Sequence, residues 1–403
     1  MKLSEVLQGV PASPIGAMFN RAAALRAKGA DLIDLSLGEP DFDTPAHICA
    51  AGIAAIEGGQ TRYTAADGSM ALKAAVARKF ARDNGLEFTL SQIVIASGAK
   101  PLIAAAMQAI LNPGDEVILP TPVWTSHVGM VQVCDALPVF VATEAANGWR
   151  LDASAVEAAI TPKTRLLLLC SPGNPSGAVL SVEELEALAA VLRRHPGVCV
   201  ISDDLYEHIV FAPAKFSTLA QVAPDLGERV LTVNGLSKAY AMTGWRIGYA
   251  GGPEWWIAGL RVLFSQTNGG PCSISQAAGI AALDGPQDFM ADWLAIYRRR
   301  RDLAVTALSA MPGLTVSPPE GAFFLYVGCD ALIGRRWSDG RVIASASDLA
   351  EVVLEEGVVT VPGAAFYQDP CLRISTATSD SALLAGIARI ATVCTTLMES
   401  DPT

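Results

Sequence analysis

The sequence predicts an α/β protein built on a mostly parallel sheet, followed by a smaller α+β unit. Through the middle of the chain, short apolar runs ending in turn residues alternate with stretches of helical period, the pattern in which each helix returns the chain to add another parallel strand. From about residue 286 that alternation gives way to one long helix, running to about 311, and then to short strands and helices in mixed order. At 403 residues, 51% hydrophobic and 17% charged, the chain can bury a large core and should form more than one domain.

The strand candidates are "EVILPTP" (116–122), "PVFVAT" (138–143), "TRLLLLCSPGNPSG" (164–177), "GVCVISDDLYEH" (197–208), "RVLTVNGLSK" (229–238) and "WRIGYAGGP" (245–253). Helical periods run over 69–85 and 181–197. In such sheets ligands collect beyond the carboxyl ends of the strands. Polar punctuation falls there in four places, Ser97-Gly98, Ser171 to Gly177, Asp203-Asp204 and Ser237-Lys238, which predicts a shared crevice. The last part reads as "GAFFLYV", a helix near 347–356, "GVVTVPGAAF", "LRISTAT" and a final helix from 380. The chain shows neither internal repeats nor a low-complexity linker.

A net charge of −11 argues against sequence-independent binding to nucleic acid or to anionic lipid. The one basic cluster, Arg298 to Arg301, reads as a solvated or interface face of a helix. Eight cysteines without a CxxC pair and four histidines without ligand spacing predict no metal site and reduced thiols in a cytoplasmic protein. The N-terminal "MKLSEVLQGVPASPIG" lacks the apolar stretch of a signal peptide, and no segment reads as a membrane span.

Lys238, among Leu236, Ala239 and Ala241, is either a snorkelling surface lysine or a desolvated amine suited to Schiff-base chemistry with an aldehyde. "SGAKPLIAAAMQAIL" (97–111) puts small residues directly before a helix, whose free N–H groups can hold a phosphate. Arg246 can add a fixed charge to the same anion, and its neighbours Trp245 and Ile247 suggest an interior position that demands a partner. "ISDDLYEH" offers a carboxylate for a heteroaromatic nitrogen and the Tyr206 phenol for a ring oxygen, although Asp203 or Asp204 could instead cap a helix. Asn174 is the one amide in the turn "SPGNPSG". Trp124 could stack on a ring or belong to the core, and Arg373 could clamp a carboxylate bidentately.

In order, "GEPDF", "YTAADG", "SGAK", "SPGNPSG", "SDDLYE", "SKAYAMTGWRIGY", "EGAFF" and "RIS" resemble the fold-type I pyridoxal-phosphate (PLP) enzymes, specifically class I/II aminotransferases of the bacterial aspartate aminotransferase type. The likeness covers nearly the whole chain, from about 35 to 379. It implies a large domain with a mostly parallel seven-stranded sheet (47–292), a smaller α+β domain (293–403), and an arm (1–46) that completes the smaller domain. It further implies amino transfer between an L-amino acid and a 2-oxo acid in a cytoplasmic homodimer with shared sites.

By the same resemblance, Lys238 carries the cofactor and moves the proton, while Asp203 pairs with the ring nitrogen. Tyr206 and Asn174 bond the ring oxygen, and Trp124 stacks on the ring. Gly98, Ala99, Lys100, Ser237 and Arg246 hold the phosphate, with Tyr63 reaching in from the neighbouring subunit. Arg373 meets the substrate carboxylate, assisted by Asn174, Trp124 and the Gly38 backbone.

Some positions depart from the family pattern. Gly235 stands where many relatives carry a serine for the phosphate, which leaves Ser237 as a differently aimed hydroxyl. "PASPI" (11–15) puts Pro11 where a lysine is common, Val123 and His127 replace tyrosines, and Gly269-Gly270 thin out a loop from the other subunit. Lys100 is left as the candidate for a distal carboxylate. These changes read as a widened, less cationic pocket for a less usual donor. Two alternatives stay open: a lyase or β/γ-replacement enzyme on the same scaffold, and a non-catalytic sensor of PLP or amino acids.

Overall fold

The computed structural model describes residues 2–12 and 14–400. Its main sheet has seven strands: β1 Ile93–Ala96, β2 Glu116–Thr121, β3 Leu137–Ala142, β4 Thr164–Cys170, β5 Cys199–Asp203, β6 Val230–Gly235 and β7 Gly248–Gly251. They lie side by side in the order β1-β7-β6-β5-β4-β2-β3, and all neighbours are parallel except at β7, which runs antiparallel to both β1 and β6. Continuous apolar runs arise because both faces are covered. Along β4, Leu166 and Leu168 join Ile201 in one core, while Leu167 and Leu169 join Val200 in the core on the opposite face.

The helices that cover these faces include α3 Met70–Lys79, α4 Ala99–Gln108, α5 Thr125–Val133, α6 Val182–Arg194, α7 Glu254–Thr267 and α8 Ser273–Asp284. Ser181 and Glu184 form a reciprocal capping box that starts α6. Two expected elements are shorter than the sequence suggested. The helical pattern of 69–85 leaves α-geometry at Lys79 and finishes as a π-turn over Phe80–Asn84. The run 245–253 is a strand only from Gly248, because Arg246 sits at φ +60° in the approach to it.

A second core lies under the smaller sheet, β8 Thr315–Val316, β9 Phe324–Gly328, β10 Val361–Pro362 and β11 Cys371–Ser375, ordered β10-β11-β9-β8 and antiparallel throughout. Helices α9 Phe289–Ser309, α10 Ala346–Glu355 and α11 Asp380–Glu399 pack on it. Met18 and Ala22, from a helix over Pro14–Arg26, and Leu35 are part of this same core, so the two ends of the chain share one interior. Helix α11 is long and apolar enough to cross a membrane by composition, contrary to the sequence reading; its Leu383, Ile387, Ile390, Val393 and Leu397 face the protein core instead.

The basic cluster also differs from expectation. Arg300 is buried, reaching Asp41 at 2.8 Å and Asp380 at 3.1 Å, because the helix turn that exposes Arg298 and Arg299 points Arg300 inward. It thereby ties the segment after Leu35 to α9 and α11.

The main sheet meets the smaller unit at Gly177, whose carbonyl accepts from the Glu320 and Gly321 N–H groups at 3.0 and 2.8 Å. At φ +67° this residue would place a Cβ 2.5 Å from Pro319 Cβ and 2.6 Å from Gly321 O. Gly177→Ala is expected to cost about 1–3 kcal/mol through strain and overpacking, seen as a lower denaturation midpoint; unchanged stability would mean that the two loops part freely.

Candidate functional site

The chain turns after β2, β4, β5 and β6, together with the start of α4, surround a cavity of about 330 Å³. It brings together Gly38, Ala99, Lys100, Trp124, Asn174, Asp203, Tyr206, Ser237, Lys238, Arg246 and Arg373 from across the sequence. Gly98 backs the cavity rather than lining it: at φ +106° it lets Arg246 approach so closely that a Cβ would lie 2.4 Å from Nη2. Tyr63 stands apart, 99% exposed on the surface.

Lys238 follows β6 and is not a snorkelling surface side chain. Its Nζ donates to the Gly38 carbonyl at 2.5 Å and lies 5.9 Å from the Tyr206 ring centroid. Burial pushes its pKa down to about 8, against the pull of Glu39. The neutral amine, the nucleophilic form, is therefore accessible near neutrality.

Asp203 ends β5, and Oδ1 has no hydrogen-bond partner among the described residues. His127 Nε2 stands 3.2 Å from Oδ2, and its ring meets Trp124 edge-on at 5.1 Å. Asp204 points to the other face of the sheet, accepts from Ser202 Oγ at 2.6 Å, and is pushed up by burial to about 7. Neither acid caps a helix, since 205–208 form a turn. That turn buries the Tyr206 ring edge-on against Phe323 and Phe324.

Arg373, on β11, is 2% exposed. Nη1 donates to Asn174 Oδ1 at 3.0 Å and Nη2 to the Ser36 carbonyl at 2.6 Å, while Nε has no partner among the described residues. Its guanidinium lies 4.4 Å from the Phe324 centroid and 5.1 Å from that of Phe366. No carboxylate pairs with it among the described residues, and burial lowers its pKa to about 10. A buried cation in this state is an anion site.

Arg246 is exposed, with Nη1 on the Thr243 carbonyl at 2.9 Å, so the interior position inferred from Trp245 and Ile247 does not hold. The left-handed backbone at Arg246 turns its side chain away from those neighbours. It still lines the cavity beside the α4 N-terminus, where the first N–H groups of any helix lack intrahelical acceptors.

Of the departures read as pocket widening, Val123 is buried in the core and does not line the cavity, whereas His127, fully buried, lines it beside Asp203 and Trp124. The sequence reading took His127 only as a lost tyrosine. Its place three residues after Trp124, on the same helical face, was the available signal. Ser36, which contributes a backbone carbonyl, and Ile15 and Phe19, which line the mouth, carried no signal.

These features fit PLP. Asp203 Oδ1 is free for a ring nitrogen, the Gly98 cradle with Arg246 suits a phosphate, and Lys238 supplies the amine for an aldehyde.

The family model "Aminotransferase class I and II" matches residues 30–390. The aspartate aminotransferase of Rhizobium meliloti (strain 1021) is 50% identical over 375 residues, 93% of this chain and 92% of that protein. The aspartate/prephenate aminotransferase of Cereibacter sphaeroides is 47% identical over 393 residues, 97% of this chain and 98% of that one. Among solved structures, the aspartate aminotransferase from Rhizobium meliloti superposes with a TM-score of 0.96 at 48% identity, covering 98% of this chain and all of that one. The Thermus thermophilus aspartate aminotransferase with maleate gives 0.91 at 38%, with the same coverage. The chain belongs to the class I and II aminotransferases, with the fold-type I architecture and the PLP dependence of that family. Amino transfer is its activity, and the lyase reading is not favoured.

A Cβ on Gly235 would meet Ile247 O at 3.0 Å and Leu205 Cδ1 at 3.1 Å. Gly235→Ser is therefore expected to lose about 1–3 kcal/mol of stability by crowding and to leave the PLP Kd no tighter than wild type. Tighter binding at unchanged stability would show that a hydroxyl here reaches the phosphate.

Proposed function

We propose that this aminotransferase holds its cofactor and substrate with the residues gathered in the cavity, and that the buried, unpaired Arg373 carries the reading. When bound, PLP supplies a carbonyl that takes up the amino group and a ring that accepts the electrons of the bond broken at Cα. Lys238 Nζ would hold the cofactor at its aldehyde carbon and, once released by the incoming amine, would take the proton from the substrate Cα and deliver it to that cofactor carbon. Asp203 keeps a proton on the ring nitrogen, and His127, against Oδ2, leaves Oδ1 as the facing atom. Tyr206 donates to the ring oxygen. Asn174 joins it through Nδ2, since its Oδ1 already accepts from Arg373. Trp124 covers the ring face.

The N–H groups of Ala99 and Lys100 at the start of α4 would hold the phosphate, with Ser237 and Arg246 beside it; the Gly98 N–H already donates to the Ala96 carbonyl at 2.7 Å, so Gly98 serves by leaving room for Arg246. Tyr63 of a second copy completes the site in a homodimer, a reading supported by its nearly complete exposure in one chain. Arg373 takes the substrate carboxylate, with its remaining N–H groups fixed by Ser36 and Asn174, and the Gly38 backbone closes that end. The enzyme works in the cytoplasm.

For the donor, we favour an acidic side chain. Lys100 lies 5.4 Å from the Trp124 ring and is the remaining lining cation with no role in the core chemistry. The names of the relatives, aspartate and aspartate/prephenate aminotransferase, support the same choice over a less usual donor. The wall beside Lys100, Ile15, Phe19, Leu37 and Ile103, is apolar.

Mixing the holoenzyme with one equivalent of aspartate should convert the bound cofactor to its amine form and release oxaloacetate, read by absorbance and by product analysis. Release of ammonia instead would overturn amino transfer as the outcome. Alanine or phenylalanine outpacing aspartate would overturn the acidic donor alone.

The lowered pKa of Lys238 gives a pH dependence with a definite sign. The reactive neutral amine is scarce below about pH 8 and saturates above it, whereas an ordinary lysine would require about 10.5. The rate at which apoenzyme takes up PLP should rise about tenfold per pH unit below 8 and flatten above it. In the same window the folded state binds fewer protons than the unfolded one, so this lysine's destabilising contribution, full below about 8, fades as pH climbs towards 10.5. An uptake rate still climbing at pH 10 would refute the assignment of the depressed amine to Lys238.

A further inference from the structure

Behind the turn that carries Tyr206 lies a buried charge cluster with no part in the roles above. Lys79, at the end of α3, is fully buried; its Nζ pairs with Glu207 Oε1 and donates to Asn84 Oδ1 at 2.7 Å. Asn84 Nδ2 in turn donates to Glu207 Oε2 at 2.7 Å, closing a ring of three side chains. The π-turn Phe80–Asn84 makes this possible by swinging Asn84 back toward Lys79, where a continued α-helix would carry it onward. His208 Nε2 stands 3.1 Å from Glu207 Oε1 and 3.7 Å from Asp83 Oδ2. Asp83, Glu207 and His208 could surround a metal ion, but the Lys79 ammonium lies 3.9 Å from Asp83 and against Glu207, and already supplies the positive charge.

A buried ion pair is a weak source of net stability compared with apolar side chains of the same volume. Its distinctive effect is geometric. Glu207 belongs to the same four-residue turn as Tyr206, whose backbone is otherwise held by Asp204 N to Val233 O, Glu207 N to Asp204 O and Ile209 N to Tyr206 O. Burial opposes the Glu207 charge, but Lys79, His208 and Asn84 outweigh it and hold the carboxyl well below its usual range. The ionised carboxylate that pairs with Lys79 is thus the favoured form.

We propose that Lys79 and Glu207 are positioning residues for the reaction: anchored to α3, they fix the turn that sets Tyr206 over Lys238, and with it the hydrogen bond Tyr206 gives the cofactor's ring oxygen. This rests on the role given to Tyr206 above. A phenol donor at that oxygen stabilises negative charge there most when the nitrogen joined to Lys238 has lost its proton. Weakening the donor therefore makes the nitrogen keep its proton to higher pH.

The test is the pH titration of the holoenzyme's visible absorbance, with PLP Kd and Tm measured alongside, for wild type, Tyr206→Phe and the double variant Lys79→Met/Glu207→Leu. Removing both charges avoids the uncompensated ion that either single change would leave. Tyr206→Phe should raise the midpoint. The double variant should raise it by about half a unit or more and weaken PLP binding about threefold or more, or about 0.7 kcal/mol, while Tm stays near wild type. A shifted Tyr206→Phe beside a double variant with wild-type midpoint and Kd overturns this inference and spares the role of Tyr206. An unshifted Tyr206→Phe overturns that role, and this inference with it. Should the double variant not fold, Asn84→Ser, which keeps the ion pair but removes the two hydrogen bonds that close the ring, is titrated instead; a wild-type midpoint there also counts against the proposal.

Discussion

The arrangement of this molecule depends on one buried guanidinium. Arg373 lies on a central strand of the smaller sheet, its Nη2 on the Ser36 carbonyl of the N-terminal segment and its Nη1 on Asn174 beyond β4 of the main sheet. Three distant stretches of chain therefore meet at one charge. Arginine cannot discharge itself as lysine can, so a pKa drawn down to about 10 still leaves it a cation at any working pH. Two carbonyl oxygens and two aromatic faces offset part of the desolvation cost. The remaining deficit, with Nε unpartnered, is what makes a carboxylate bind there: the protein holds the charge ready and the ligand completes it.

Lys238 meets the same low-dielectric surroundings in the opposite way. Burial first, and then the repulsion of two arginines, Arg373 and Arg246, make it yield its proton near pH 8, although the Gly38 carbonyl accepts from it and Glu39 attracts its charge. The two bases thus specialise by chemistry rather than by location. One stays charged and orients an anion, and the other becomes a neutral nucleophile a short distance away. Moving Arg373 would alter both, because it contributes to the field that depresses the lysine.

Much of this was legible in the sequence for identifiable reasons. Strands buried on both faces leave continuous apolar runs, so β2, β4, β5 and β6 could be read directly, and their polar ends marked the cavity. Motif order then connected Arg373 to Lys238 across more than a hundred residues, which no local pattern could do. Other features were hidden. The four-residue β1 is too short to show a period, and Arg246 looked interior because neighbours in sequence were taken as neighbours in space. Val123 looked like a change to a substrate wall, yet it packs into the core, and His127 lines the cavity not as a substrate wall but against Asp203. The Ser36 carbonyl had no side-chain identity to read. A ring such as Lys79, Asn84 and Glu207 is invisible until the π-turn folds it.

The adjacent acids at the end of β5 show how far strand periodicity reaches into chemistry. Successive side chains leave a strand on opposite faces. Asp203 enters the cavity, where His127 approaches one oxygen and the other is left for a ligand. Asp204 enters the packed layer behind, where Ser202 Oγ donates to it and no cation pairs with it among the described residues, and burial raises it to about 7. Three residues further on, Glu207 is just as buried but meets a lysine, and remains ionised. Burial alone therefore does not decide the state of an acid in this protein; the cation brought to it by another element does. The turn bearing Tyr206 is bounded by one carboxyl that burial pushes up to about 7 and one that its cation holds well below the usual range, and the latter ties it to a helix.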